Sequence, residues 1–217
     1  TNSDTTYGLF VIKVVDVNVK PVIFSDSLYV DENSLSGDTV SGKILAIDED
    51  LNTVVYTLID TTYFVIDSLN GTLLVREDST INYEEFNEIN IIIAASDDST
   101  TSYLSVDVTI NDLNDAPTVN HQVILLDEDA PSGVPLDTVF AEDEDANARL
   151  VYMIKDPSDK FEIDSLTGEL YLKDGATLDY EESKSHTIHV IVNDGEYQDS
   201  ADVVIQVENI VERAKIK

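Results

Sequence analysis

The chain has 217 residues, long enough for one large domain or two ordinary ones, and its 12 basic and 44 acidic side chains give a formal net charge of −32. That balance argues against a nucleic-acid binder and against docking on anionic membrane, because both partners attract basic surfaces. A hydrophobic share of 42% predicts a packed core, no apolar run reaches the ~18 residues of a membrane span, and the absence of cysteine excludes disulfides, thiolate metal sites and cysteine nucleophiles.

The first residues, Thr1-Asn2-Ser3-Asp4-Thr5-Thr6, carry neither a basic region nor an apolar signal core, and no initiator Met. The chain therefore reads as an excised piece of something longer. Leu9–Asn18 is β-branched and resembles Val106–Asn114, so residues 1–20 read as the last strand and linker of a preceding repeat. Short alternating segments follow at Ser25–Val30, Val40–Ile47, Val54–Ile59, Tyr63–Ile66, Leu73–Arg76, Asn90–Ala95 and Tyr103–Ile110, parted by turn chemistry such as Asp67-Ser68-Leu69-Asn70-Gly71. No segment holds a sustained helical stripe.

The same landmarks return about 96 residues later. Tyr63-Phe64-Val65-Ile66-Asp67-Ser68-Leu69-Asn70-Gly71 is matched by Lys160-Phe161-Glu162-Ile163-Asp164-Ser165-Leu166-Thr167-Gly168, and Tyr83-Glu84-Glu85 by Tyr180-Glu181-Glu182. Glu32 pairs with Glu128, Asp50 with Asp145, Asp97 with Asp194 and Pro21 with Pro117. Coincidental acidic clusters would not keep apolar and acidic landmarks in one order. The chain is thus expected to hold two copies of one module, 21–116 and 117–212, with a tail at 213–217. Seven short strands per copy predict an all-β fold: tandem seven-stranded antiparallel Greek-key β-sandwiches of immunoglobulin-like topology. The Cys…Trp…Cys spacing of a true immunoglobulin domain is missing.

Most of the acids read as a solvated face, but Asp48-Glu49-Asp50-Leu51-Asn52 and Asp143-Glu144-Asp145-Ala146-Asn147 share a D-x-D-x-N pattern, an oxygen-donor set for a hard cation. A helix-loop-helix calcium loop needs Gly at its sixth position and Glu at its twelfth. Here those positions hold Thr53 and Ile59, or Ala148 and Ile154, so that reading fails. Calcium takes six to eight oxygens, and the loop must borrow others.

The ordered set Asp31-Glu32-Asn33, Asp48-Glu49-Asp50, Phe-x-Ile-Asp…Gly, Leu178-Asp179-Tyr180-Glu181 and Asp112-Leu113-Asn114-Asp115-Ala116-Pro117 resembles the cadherin repeat family over almost the whole chain. The resemblance implies sandwiches joined end to end, with up to three calcium ions at each junction. Carried over by position, a central set comprises Glu32, Glu84, Asp112, the Leu113 carbonyl, Asn114, Asp115 and the Ala116 carbonyl, with Asp143, Asp145, the Asn147 carbonyl and Asp194 from the second copy. Asn82 stands where the family has Asp, which weakens the outermost ion. A leading set keeps Asn18, the Lys20 carbonyl, Asp48, Asp50, the Asn52 carbonyl and Asp97, enough for the innermost ion, whereas Val19 replaces a bridging Asp. A trailing set keeps Glu128, Asp179 and Glu181 before the degraded linker Glu208-Asn209-Ile210-Val211-Glu212.

An enzyme is not expected. The acid pairs recur at equivalent positions in each copy, unlike a catalytic pair. His186 and His189 are three apart on a strand and point to opposite faces, while His121 stands alone. The resemblance implies a calcium-rigidified extracellular segment of a large cell-surface protein, acting in adhesion or as a spacer. Its partners would be neighbouring repeats of the same chain, or the same protein on another cell, with no nucleic acid and no direct membrane insertion. The alternative is a polysaccharide-binding module, for which the missing Trp leaves only tyrosines as sugar platforms. Acidity and missing cysteines favour a microbial surface protein over an animal one.

Overall fold

Among the described residues, eight strands form before residue 113: β1 (Val22–Ser25), β2 (Leu28–Asp31), β3 (Ile44–Ile47), β4 (Val55–Leu58), β5 (Phe64–Ile66), β6 (Leu73–Val75), β7 (Glu88–Ser96) and β8 (Thr101–Asn111). The structure, a computed structural model, describes residues 7–15 and 17–210, and they separate into two units between Leu113 and Asn114. The second unit holds β9 (Thr118–Val119), β10 (Gln122–Asp127), β11 (Pro135–Thr138), β12 (Ala141–Glu142), β13 (Val151–Ile154), β14 (Phe161–Ile163), β15 (Glu169–Leu172), β16 (Ser185–Asn193) and β17 (Gln198–Glu208). Among the described residues no helix is long and apolar enough to cross a membrane.

Each unit is a sandwich. In the first, a sheet ordered β2-β8-β7-β4 faces the pairs β1-β3 and β5-β6; in the second, β10-β17-β16-β13 faces β11-β15-β14 and β12-β9. The seven expected strands are present, with some broken in two. Ser25–Val30 divides at Asp26-Ser27 because its halves serve different sheets: β1 pairs antiparallel with β3, whereas β2 runs parallel to β8. The second unit repeats this, β10 lying parallel to β17. All other ladders are antiparallel. Of Val40–Ile47 only the last four residues form a strand, the earlier part making isolated bridges at Thr39 and Ser41.

Period-2 alternation explains which side chains go inside. In β2, Leu28 and Val30 are buried while Tyr29 and Asp31 face water; in β10, Ile124 and Leu126 are buried and their neighbours exposed. Phe64, Ile93 and Ile110 complete one core, and Phe161, Leu170, Leu172 and Ile205 the other. Each such side chain contributes roughly 1.5–3 kcal/mol on full burial.

The near-verbatim repeated stretch is a turn mould. Asp67 Oδ1 accepts N–H bonds from Leu69 (2.8 Å) and Asn70 (3.2 Å), and Asp164 Oδ1 does the same for Leu166 (2.8 Å) and Thr167 (2.9 Å). These bonds hold the Asp164 carboxyl below the usual carboxylate range. Gly71 (φ 73°) and Gly168 (φ 72°) close the turns; a Cβ there would lie 2.9 Å from the Ile44 carbonyl oxygen and 2.7 Å from that of Val139. Only glycine fits both constraints.

The segment before Pro21 differs from expectation. Leu9–Val15 and Val17–Asn18 carry no strand and their side chains are exposed, because no sheet is present for their backbone to pair with; Asp16 lies outside the described residues. Thr1–Thr6 and the expected tail at 213–217 also lie outside them.

Candidate metal centre

The D-x-D-x-N loops follow β3 in one unit and β12 in the other, where the chain leaves its sheet. Asp48 is only 5% exposed. Its Oδ1 accepts the N–H groups of Asp50 (2.9 Å) and Asn52 (3.2 Å), which folds the loop over the carboxylate. Its Oδ2 is buried and takes no hydrogen bond. The second unit repeats the device: Asp143 Oδ1 accepts Asp145 N–H at 3.0 Å, and Asp143 Oδ2 is again buried without a partner. Burial pushes the Asp143 carboxyl above the usual range, opposed by the Asp145 N–H and reinforced by the charges of Asp145, Asp194 and Asp115. A buried carboxylate oxygen with no donor costs free energy that a cation would offset.

Beside these loops the two units repeat one pattern of hydrogen bonds. In the first unit Asn18 donates its amide to Asp97 Oδ2 (3.0 Å) and Thr100 Oγ1 (3.3 Å), Val19 N–H donates to Asp50 Oδ2 (2.6 Å), and Asn52 donates to Asn18 Oδ1 (2.8 Å). In the second, Asn114 donates to Asp194 Oδ2 (2.8 Å), and Asp115 N–H donates to Asp145 Oδ2 (2.8 Å). Asp97 is held well below the usual range by the Thr100 hydroxyl first and the Asn18 amide next. Desolvation pushes Asp194 up, but the N–H groups of Glu196 and Tyr197 and the Asn114 amide outweigh it, so it too lies low. Both carboxyls stay ionised, as ligands for a hard cation must.

At the other end of the first unit, Glu32 closes β2 and is 1% exposed. It accepts N–H bonds from Tyr83 on Oε2 (2.9 Å) and Leu113 on Oε1 (2.6 Å). Glu32, Glu84 and Asp112 each bring a carboxylate oxygen within 4.8 Å of the other two. In the second unit Glu128 accepts from Tyr180 (3.0 Å) and Ile210 (2.7 Å), and Glu128, Asp179 and Glu181 form the matching cluster within 4.8 Å. Asn209 donates to Glu181 Oε1 at 2.9 Å, so the linker that looked degraded still reaches this cluster. Asn82 Oδ1 accepts Glu85 N–H at 3.0 Å, as Asp179 Oδ1 accepts Glu182 N–H at 3.0 Å; the substitution keeps the turn and loses the charge.

Lys20, Ala116 and Asn147, expected to act through their carbonyls, are exposed at loop positions, and Ala116 lines a hollow with Asp115, Thr118, Glu142, Asp143 and Glu144. Sequence reasoning missed Thr100, Glu142 and Glu144. The two glutamates stand in the acidic run that was noticed, but Thr100 carries no metal-ligand signature and emerges only through its bonds to Asp97. His189 Nδ1 lies 2.9 Å from Asp202 Oδ1, while His186 sits edge-on to Phe161 at 5.7 Å between ring centres, so the two rings occupy different faces of β16.

The family model for the cadherin domain matches residues 122–208. The mouse cadherin EGF LAG seven-pass G-type receptor 1 is 29% identical over 195 residues, covering 84% of this chain and 6% of its own length. The chicken cadherin-related family member 1 is 32% identical over 139 residues, covering 61% of this chain and 16% of its own. The chain thus spans a small fraction of these curated relatives. Among solved structures, human protocadherin-24 EC1-2 aligns with a TM-score of 0.69 at 22% identity, covering 89% of this chain and 100% of that one. Mouse cadherin-23 EC22-24 aligns with a TM-score of 0.65 at 20% identity, covering 90% and 67%. These structural likenesses speak for the fold.

Proposed function

From a chain that belongs to the cadherin repeat family, we propose a calcium-binding extracellular segment that acts at the cell surface in adhesion rather than as an enzyme. The observation that carries the calcium reading is the pair of buried, unpartnered oxygens, Asp48 Oδ2 and Asp143 Oδ2, at the same place in both units. A single stray orphan would be an accident of packing. Two, at equivalent places in loops that repeat from unit to unit, fit a recurring cation.

Asp48, Asp50, Asn18 and Asp97 supply the oxygens of the leading set, with the Asn52 and Lys20 carbonyls. Asp143, Asp145, Asn114, Asp115 and Asp194 supply those of the second unit, with the Asn147 and Ala116 carbonyls. Glu32, Glu84 and Asp112, with the Leu113 carbonyl, and Glu128, Asp179 and Glu181 serve the opposite ends of their units, Asn82 adding a neutral oxygen. Bound calcium screens these carboxylates from one another and restricts motion where one repeat continues into the next. All are hard oxygen donors, which select calcium over softer metals.

Calcium titration calorimetry on the full chain, paired with thermal melting in calcium and in chelator, tests the reading. Extracellular calcium modules bind at ~10⁻⁴–10⁻³ M, so saturation is expected in the low millimolar range with a rise in melting temperature. Absence of binding heat, with identical melts in both conditions, overturns it.

A further inference from the structure

Asn70 stands exposed in the turn between β5 and β6, and we propose that it is the acceptor of an asparagine-linked glycan. The chain has fourteen asparagines, and only Asn70, in Asn70-Gly71-Thr72, has a hydroxyl residue two positions on with no proline between. In a chain that passes through a eukaryotic secretory route, that spacing marks an acceptor. The premise is the extracellular setting of the family, not the calcium reading.

Spacing alone is a weak signal, and the fold adds to it. Gly71 is buried and Thr72 half-buried, yet the Asn70 carboxamide lies in water. Its Oδ1 accepts Thr72 N–H at 2.8 Å, an Asx turn that brings the hydroxyl residue against the amide. The bonds that shape this acceptor are local. Asp67 Oδ2 takes the Asn70 amide at 3.0 Å, and the Asp67 carbonyl takes Gly71 N–H at 2.9 Å. Asn70 and Thr72 also border an open hollow of about 410 Å³ with Thr39, Gly42, Lys43 and Leu45, so a first sugar has room beside the turn.

The second unit shows that the fold does not require this amide. Thr167-Gly168-Glu169 occupies the equivalent turn, and Thr167 Oγ1 accepts Glu169 N–H at 3.3 Å. A hydroxyl closes the turn as a carboxamide does.

In the transfer, Asn70 Nδ2 bonds to the anomeric carbon of a glycan carried on a lipid pyrophosphate. The anomeric C–O bond breaks, the lipid pyrophosphate leaves, and one amide proton is released. The competing reaction at an Asn-Gly pair is attack of the glycine nitrogen on the carboxamide carbon, with loss of ammonia. Donation of Gly71 N–H to the Asp67 carbonyl holds that nitrogen back.

The test is secretion of the full chain from a eukaryotic cell line, followed by peptide N-glycosidase in heavy-oxygen water and mass spectrometry. Wild type is expected to lose one glycan and to gain heavy oxygen at residue 70. Asn70→Thr and Thr72→Glu, which take the residues of the second unit, should be secreted without glycan and melt like deglycosylated wild type. The reverse exchange, Thr167→Asn/Glu169→Thr, should carry two glycans. An unmodified wild type overturns the proposal, as does conversion of residue 70 to Asp without heavy oxygen. So does a glycan that survives Asn70→Thr or Thr72→Glu, or a reverse exchange that carries only one. Calcium titration of the same proteins is a separate readout, so failure here leaves the calcium reading standing.

Discussion

Glu32 Oε1 accepts the backbone N–H of Leu113 at 2.6 Å, so a carboxylate that is almost wholly buried clamps the residue just past β8. Its other oxygen holds Tyr83 N–H, and both bonds are charge-assisted. Glu32→Gln keeps the length of the side chain but turns an NH₂ group toward one of two N–H donors. The expected cost is about 1–3 kcal/mol, or a fall of several degrees in melting temperature for a domain of this size, in chelator as well as in calcium. A variant that melts like wild type in chelator would show the clamp to be dispensable.

Asp143 gives a sign change. Without metal its charge is buried, lacks a partner on Oδ2 and meets three like charges, so the carboxyl is pushed up. Asp143→Asn removes that burden, and the metal-free protein should melt higher than wild type. In saturating calcium the order should reverse, because the amide is a poorer ligand. Asp145→Asn is expected to weaken calcium binding more than Asp143→Asn does, because the cadherin resemblance implies that Asp145 touches two ions and Asp143 one. Melting all three proteins in chelator and in calcium, with calorimetry on the two variants, checks both statements. The same rank order in both conditions would refute the first, and equal affinities the second.

His186 makes the second unit acid-sensitive. Burial lowers its pKa, the Lys160 ammonium lowers it further, and Glu182 opposes them; its Nε2 is buried and takes no hydrogen bond. The folded unit thus binds fewer protons at this ring than the unfolded chain, whose histidine titrates near 6.5. Stability contributed by the neutral ring is present above that value and is lost as pH falls below it. Urea midpoints measured from pH 7 down to pH 5.5 should drop less for His186→Leu than for wild type. Parallel slopes would exclude the ring as the cause.

The sandwich was legible because its signals are local. Alternation in β2 and β10, the turn mould ending at Gly71 and Gly168, and the order of acidic landmarks are all short-range patterns that the backbone must satisfy wherever it lies. What could not be read is which sheet a strand joins. Ser25–Val30 looks continuous in sequence, and only the competing pairings of β1 with β3 and β2 with β8 break it. Leu9–Val15 shows the same limit, since a strand-like composition yields no strand without a neighbour to pair with. At the acid sets, Asp48, Asp143 and Glu32 were found by residue type and spacing. Thr100 was missed because a hydroxyl that orients a carboxylate leaves no periodic trace.

Among the described residues the bare oxygen at Asp48 and Asp143 occurs once in each unit, so on the proposed calcium reading the response to calcium would scale with copy number. In a repeat protein, stability is close to a sum over units and their neighbours. Every added module of this kind would bring one more carboxylate that is under-coordinated until a cation arrives. The difference between the calcium-loaded and calcium-free states would then grow in proportion to array length, while the affinity of each individual site stayed the same. Long arrays would change state over the same concentration range as short ones, with a larger total consequence.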